Sequence, residues 1–527
     1  MAARYGMVFA VAMLGLIIAL RMLSGPFGAP LGVRVPLNPE GWLGLALTVV
    51  LATSPDRTDN LETPRARLSG WWNGAAMAAL AGFTTAAFWR SLHFYFLGDD
   101  FILVRFANSS HFDLRRLFTT PGGDGFFRPM GYVSLAFTSM WAGVNPAAWH
   151  SMSLALHVAN VLLVFTLAAR LGASRVAASF AAALFAIHGT RPEAAVWIAG
   201  RFDLMATFFV LAGLLFFIRS HREAASAGYL YALASLVCMV LAILSKESAY
   251  IFPVLVLLFL YVKRDLCRRS IGVLVPFFMT AAALFAYRCW LLGGIGGYRD
   301  AQTGEAQALT FGLSSVKALG LRLWMALYFP INWSVEPDAW MAALTIAYIG
   351  ALVWLATSHP NRKLMAFALL FVLVSALPPL HLLAIGAGLG NSRILYLPSV
   401  GFCLMVAFAV DRLNGRILRI IPGVILAFHL AALQHNLDAW EYASAKAKSA
   451  CLVAMKCAGP QAEHALLSRL PATLRGVPFF GNGLRESVEL QRNGASSRAK
   501  QGGIGGQPLA VTWDEAKAEA SCVAAPR

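Results

Sequence analysis

Apolar residues in this chain gather into long blocks, each near the roughly 20 residues a helix needs to cross a bilayer, with short polar stretches between them. A surface helix would instead show apolar positions every third or fourth residue. The blocks predict spans near 5–24, 41–54, 71–89, 149–168, 174–188, 202–218, 228–244, 248–262, 270–292, 340–357, 363–380, 395–410 and 417–434. The block at 316–331 is short and carries Lys317 and Arg322, so it is expected to lie on the surface or re-enter without crossing. The predicted fold class is an all-α polytopic membrane protein of about 13 transmembrane helices, with a large external loop and a small external C-terminal α/β region. Three parts follow: extra N-terminal spans at 1–70, a membrane domain at 71–434 and an external region at 435–527.

Charge orients these spans. Residues Arg57, Arg65, Arg67, Arg170, Arg175, Arg219, Arg222, Lys263, Arg264, Arg268, Arg269, Arg362, Lys363, Arg412, Arg416 and Arg419 fall in loops on one side if 316–331 does not cross. That side is expected to be cytoplasmic, with the N-terminus inside and the C-terminus outside. The stretch 5–24 reads as a retained span, because Arg21 precedes the Gly-Pro break and further apolar segments follow.

Composition agrees, with 58% hydrophobic and 13% charged residues against about 25% charged in soluble domains. The net charge of +17 comes in short clusters between apolar runs, so it reports topology and excludes a nucleic-acid partner. Seven cysteines form no CxxC pair and no zinc spacing. Cys238, Cys289 and Cys403 fall in spans, while Cys451, Cys457 and Cys522 lie in the tail, where an oxidising compartment permits one disulfide.

The external segments 90–148, 188–201, 245–248, 292–339 and 378–394 are richest in acids, His, Trp and Pro. In the first, 101–107 and 113–118 read as short amphipathic helices around a cleft. Asp99-Asp100 stands where apolar chain meets water, a place where carboxylates are costly unless they work, although Asp also suits a helix N-cap. Glu193 lies in the next external loop. Two such carboxylates can deprotonate an acceptor hydroxyl or jointly hold a divalent cation such as Mg or Mn. Arg128, Arg201, Lys246 and Arg393 place cations on the side that the orientation rule leaves poor in them, which calls for an anionic partner such as a lipid phosphate. Each also fits a snorkelling span end, and His188 fits either a structural or a functional role. In the tail, the stretch from Gly476 reads as strand, turn and helix, and no repeat stands out at the 34-residue tetratricopeptide period.

The ordered series Asp99-Asp100, Phe126-Phe127-Arg128-Pro129, Trp149-His150, His157 to Asn160, Phe185 to His188, Pro192 to Leu204, Ser245 to Ser248 and Ser392 to Cys403 resembles a known family. It is similar to the tetratricopeptide-carrying protein O-mannosyltransferases and their bacterial relatives, in the type C glycosyltransferase superfamily. The resemblance covers about 71–440. It implies an inner-membrane enzyme, with an external or periplasmic site, that moves a sugar from a polyprenyl phosphate donor to a protein, glycan or lipid acceptor. It implies Asp99 as base with Asp100 beside it, Glu193 as the acid of the next loop, and Arg201, Lys246 and Arg393 as holders of the donor phosphate. Arg128, His188 and Tyr396 complete the expected substrate-binding set. The chain departs from the family at Gly189 and Arg191, where members carry Pro and His, which leaves the second loop's role and any metal there open. A transporter of a lipid-linked sugar, or an oligosaccharide ligase or polymerase, are the rival readings.

Overall fold

The structure, a computed structural model, describes residues 71–109, 113–119, 125–223, 225–263, 268–297, 318–332, 342–343, 345–350, 362–379, 388–411, 420–458, 466–494 and 509–524. The expected spans at 5–24 and 41–54, and most of that at 340–357, lie outside them.

The chain is mostly helical. It opens with α1 (Trp71–Phe88), then α2 (Asp99–Ser109), α3 (Leu114–Thr119), α4 (Pro129–Ala142) and α5 (Pro146–Leu171). Next come α6 (Arg175–Ile187), α7 (Arg191–Ala195), α8 (Arg201–Ser220), α9 (Ala225–Ser245), α10 (Phe252–Lys263) and α11 (Arg268–Leu292). The last helices of the membrane part are α12 (Leu323–Tyr328), α13 (Arg362–Ala376), α14 (Pro398–Val410) and α15 (Ile420–Ala458). Local chemistry sets several ends. At α5 the Asn145 side chain accepts from Ala147 N–H, Pro146 takes the first turn, where it loses no hydrogen bond, and left-handed Gly172 closes the helix. Ser174 then caps α6 by accepting from Ala177 N–H.

Among the described residues, Pro146–Leu171, Ile198–Ser220, Ser226–Ser245 and Gly272–Leu292 are long and apolar enough to cross a membrane. Helices α8 and α9 pack together, as do α5 with α6 and α8, and α13 with α14, around one continuous apolar core. Large apolar side chains stay exposed, such as Tyr229, Leu230 and Leu233 on α9 and Val275 and Met279 on α11, as expected of surface that faces lipid. The chain is a multi-pass membrane protein.

Three elements differ from the sequence expectation. The first is α4, read as loop, which is a helix whose Gly131, Tyr132, Leu135, Ala136 and Thr138 are buried while Phe137, Met140 and Trp141 stay exposed. The second is the block 316–331, expected either on the surface or re-entrant: Leu323 to Leu327 are all buried, which overturns the surface alternative and leaves the re-entrant one. The third is α15, expected as a span that ends at 434. It runs unbroken for 39 residues. At about 1.5 Å per residue that is close to twice the hydrocarbon thickness, so its second half projects out of the bilayer.

The projecting half of α15 is the platform for the C-terminal region. Strands β1 (Leu466–Arg469), β4 (Leu509–Asp514) and β5 (Glu519–Ala524) form a sheet in the order β1-β4-β5. Its first pair is parallel and its second antiparallel. Between β1 and β4 lie β2 (Thr473–Leu474) paired with β3 (Val477–Pro478), and α16 (Leu484–Gly494). A disulfide from Cys457 on α15 to Cys522 on β5 ties the sheet down, the single bridge expected among the tail cysteines.

Candidate active site

Residues of 90–148, 188–201, 245–248 and 378–394 converge on one cleft of about 760 Å³. Its polar end is lined by Asp99, Arg128, Lys246, Glu247, Arg288, Arg393 and Asn482. Its other end is apolar, with Phe278, Ala281, Ala282 and Phe285 on one side of α11. Phe278 and Phe285 are also exposed on the molecular surface, so the apolar end opens where lipid would lie.

Asp99 and Asp100 begin α2, and the helical turn between neighbours sends them different ways. Asp99 is partly exposed and faces the cleft, where its Oδ1 accepts from the Asn482 amide at 3.2 Å. Asp100 is buried, and its carboxylate accepts the N–H groups of Leu97 (3.1 Å), Ile198 (3.0 Å) and Ala199 (3.3 Å). Burial holds its protonation range well above that of an ordinary carboxylate, against the opposing pull of these backbone donors. Asp100 therefore ties the start of α2 to the segment at Ile198 and Ala199. Asp100→Ala would leave three N–H groups without partners, at a cost of roughly 2 to 4 kcal/mol. The expected result is a lower melting temperature in detergent.

Four cations border the polar end, and each meets a carboxylate. Arg128 sits 4.0 Å above the Phe126 ring and forks onto Glu247 through Nε (2.9 Å) and Nη2 (2.5 Å). Arg288 approaches the same carboxylate at 3.7 Å. Burial alone would raise Glu247, but the charge and hydrogen bonds of Arg128, with Lys246 and Arg288, push it well below the usual carboxylate range. Lys246, in the turn between α9 and α10, donates to Asp203 at 2.5 Å; burial lowers its protonation range and Asp203 counters that. Arg393 pairs with Glu193 at 2.5 Å and lies 4.9 Å from the Trp197 ring centre.

Of the residues anticipated from sequence, the structure brings Asp99, Arg128, Lys246 and Arg393 to the cleft and keeps five out of its lining. Glu193 is buried one layer behind: its oxygens accept from Asn391 N–H, Ser392 Oγ, Arg393 N–H and Arg393 Nη1, so it fixes the loop that presents Arg393. Arg201 is fully buried and donates to Ser153 Oγ, Thr138 Oγ1 and Trp149 O. His188 bonds Thr190 Oγ1 and Leu327 O, and Tyr396 bonds His157 and Asn160. The motif series is thus partly core: His157 to Asn160 meets Tyr396 inside the bundle.

Glu247, Arg288, Asp203 and Asn482 were not anticipated as site residues. Arg288 had a readable signal, an isolated charge inside the apolar block 270–292. Glu247 and Asp203 lay unremarked within quoted motifs, and Asn482 had no sequence signal. Among the described residues no group of three or more His, Cys, Asp or Glu side chains could hold a metal ion.

Fold and cleft define a multi-pass helical membrane protein with a cleft that combines paired charges and an apolar wall. The chain is similar to several curated proteins. Protein O-mannosyl-transferase Tmtc1 of Drosophila melanogaster is 30% identical over 36% of this chain and 24% of its own length. Protein O-mannosyl-transferase TMTC3 of Mus musculus is 21% identical over 70% of this chain and 46% of its own. These relatives show the resemblance read from the motifs, and the chain spans about half of their length or less. No protein-family model matches. Among solved structures, ArnT from Cupriavidus metallidurans bound to undecaprenyl phosphate aligns over 81% of this chain and 89% of its own, at 14% identity and a TM-score of 0.43. The archaeal oligosaccharyltransferase AglB from Archaeoglobus fulgidus, in complex with an inhibitory peptide and a dolichol-phosphate, aligns over 69% and 56% at 15% identity and a TM-score of 0.45.

Proposed function

We propose that this chain is a membrane glycosyltransferase that moves a mannose-like sugar from a polyprenyl phosphate monosaccharide to the hydroxyl of an acceptor on the external face of the membrane. The observation that carries the reading is the two-ended cleft: four cations and the Asp99 carboxylate at one end, and an apolar wall open to the surface at the other. A polyprenyl phosphate sugar has the same two ends. Its tail would lie along Phe278 and Phe285 while its phosphate meets Arg128, Lys246, Arg288 and Arg393.

The acceptor oxygen attacks the anomeric carbon as the bond from that carbon to the phosphate oxygen breaks. The hydroxyl proton passes to Asp99 and the electron pair leaves with polyprenyl phosphate. Charge grows on the phosphate during this step, and fixed cations stabilise it more in the transition state than before it. A single displacement inverts the anomeric centre. Aromatic and apolar walls exclude water, which would otherwise compete for the sugar.

The relatives' names supply mannose as the sugar, while the acceptor is a protein Ser/Thr, a glycan or a lipid. The test is label transfer by the purified full chain from radiolabelled polyprenyl phosphate mannose, and separately glucose, with membrane extract as the acceptor source. Labelled product from one donor identifies the sugar and, by fractionation, the acceptor. If label stays on the donor across a wider panel and the donor crosses vesicles instead, the transferase reading falls in favour of a transporter.

A further inference from the structure

The loop between β3 and α16 carries a side chain of the C-terminal region into the cleft. Asn482 donates its amide to Asp99 Oδ1 at 3.2 Å, an orientation set by chemistry, since a carboxylate that takes up a proton is ionised and offers none. The junction around this bond is built for close approach. Gly98, left-handed at φ +48°, would put a Cβ 2.8 Å from Phe479 O, and Gly483, at φ +89°, would put one 2.1 Å from Gly98 O. Neither position admits a side chain, so the backbones touch just before Asp99 and just after Asn482. Farther along, the Phe101 and Phe480 rings stack with centres 5.8 Å apart, and Arg105 on α2 pairs with Glu489 on α16 at 2.6 Å. These contacts set the register of the two segments.

We propose that Asn482 is a positioning residue for Asp99, holding one carboxylate oxygen so that the other faces the acceptor hydroxyl, and that the C-terminal region is thereby a working wall of the active site. The inference rests on Asp99 being the base. Rotation about the last side-chain bond of an aspartate is soft, so a carboxylate held at one oxygen is aimed while an unheld one samples a broad range. Aim matters to the rate of proton transfer and not to donor binding, which belongs to the cations across the cleft.

The measurement is kcat and donor KM per folded molecule of the full chain, with melting temperature, for Asn482→Ala, Asn482→Asp and Asp99→Asn. Asn482→Ala is expected to lower kcat about tenfold with donor KM within about twofold. Asn482→Asp keeps the shape, removes the donor and sets a like charge beside Asp99, so its kcat is expected to fall further. Asn482 is exposed, so melting should hold in both. Unchanged kcat in both variants, or a donor KM that rises in step with the loss, would overturn the positioning role. Transfer that survives Asp99→Asn would sink the base reading itself, and with it this inference. Loss in Asp99→Asn beside wild-type kcat in both Asn482 variants would sink the positioning role alone.

Discussion

Asp99→Asn is expected to lower sugar transfer by about 10²- to 10⁴-fold while the protein folds and melts like the wild type. The substitution removes the ability to take a proton and little else. The carbonyl oxygen of the introduced amide still accepts from Asn482, so the junction between α2 and the C-terminal loop keeps its 3.2 Å hydrogen bond. The cations across the cleft are untouched, so the donor should bind as before and the loss should fall on kcat. The neighbouring carboxylate predicts the opposite pattern. At Asp100 an amide would turn an NH2 group toward some of the three backbone N–H groups that now donate to the carboxylate. That costs stability, because donors then face a donor. Measuring transfer and thermal melting for both substitutions separates a base from a structural tie. A full-rate Asp99→Asn enzyme would remove Asp99 from the chemistry.

The two aspartates show where sequence was informative and where it was not. A carboxylate pair at a span end was readable as unusual, because placing charge beside lipid is costly. Which of the two faced the cleft depended on the turn at Gly98 and on the loop at Ile198 and Ala199, far along the chain. Hydrophobic blocks predicted helices α5, α8, α9 and α11 because periodicity and length report local structure. They missed α4, which was read as loop although one side of it is buried in the bundle. They also ended α15 at 434, because the apolar block stops there while the helix runs on to Ala458. Partnerships such as Arg128 with Glu247 and Asn482 with Asp99 join residues more than a hundred positions apart, and no single-sequence pattern encodes them. The motifs marked the neighbourhood of the site, but some of their members, Tyr396, Arg201 and His188 among them, make buried hydrogen bonds that support the loops.

The same distinction between residues that face the cleft and residues that hold them makes Arg393 the sharpest test of donor binding. Arg393→Met is expected to reduce kcat/KM for the lipid-linked donor by about 10²- to 10³-fold, the usual loss when one donor to a developing anion is removed. Most substitutions among the cleft cations would confuse binding with folding. Lys246→Met, for example, would strand Asp203, which is 6% exposed and bonded to the Lys246 ammonium at 2.5 Å. A buried carboxylate that loses its partner destabilises the fold on its own account. Arg393 differs because its partner is supported twice over. After Arg393→Met the Glu193 carboxylate still accepts from the backbone N–H groups of residues 391 and 393 and from Ser392 Oγ, none of which the substitution alters. The methionine side chain can also keep contact with the Trp197 ring that the guanidinium now covers. The loop should therefore stay in place while the cleft loses one positive charge. Donor kinetics and melting, measured together, decide the outcome. A large loss in kcat/KM at an unchanged melting temperature assigns Arg393 to the phosphate, whereas a loss that follows the melting temperature would make it part of the scaffold that Glu193 holds.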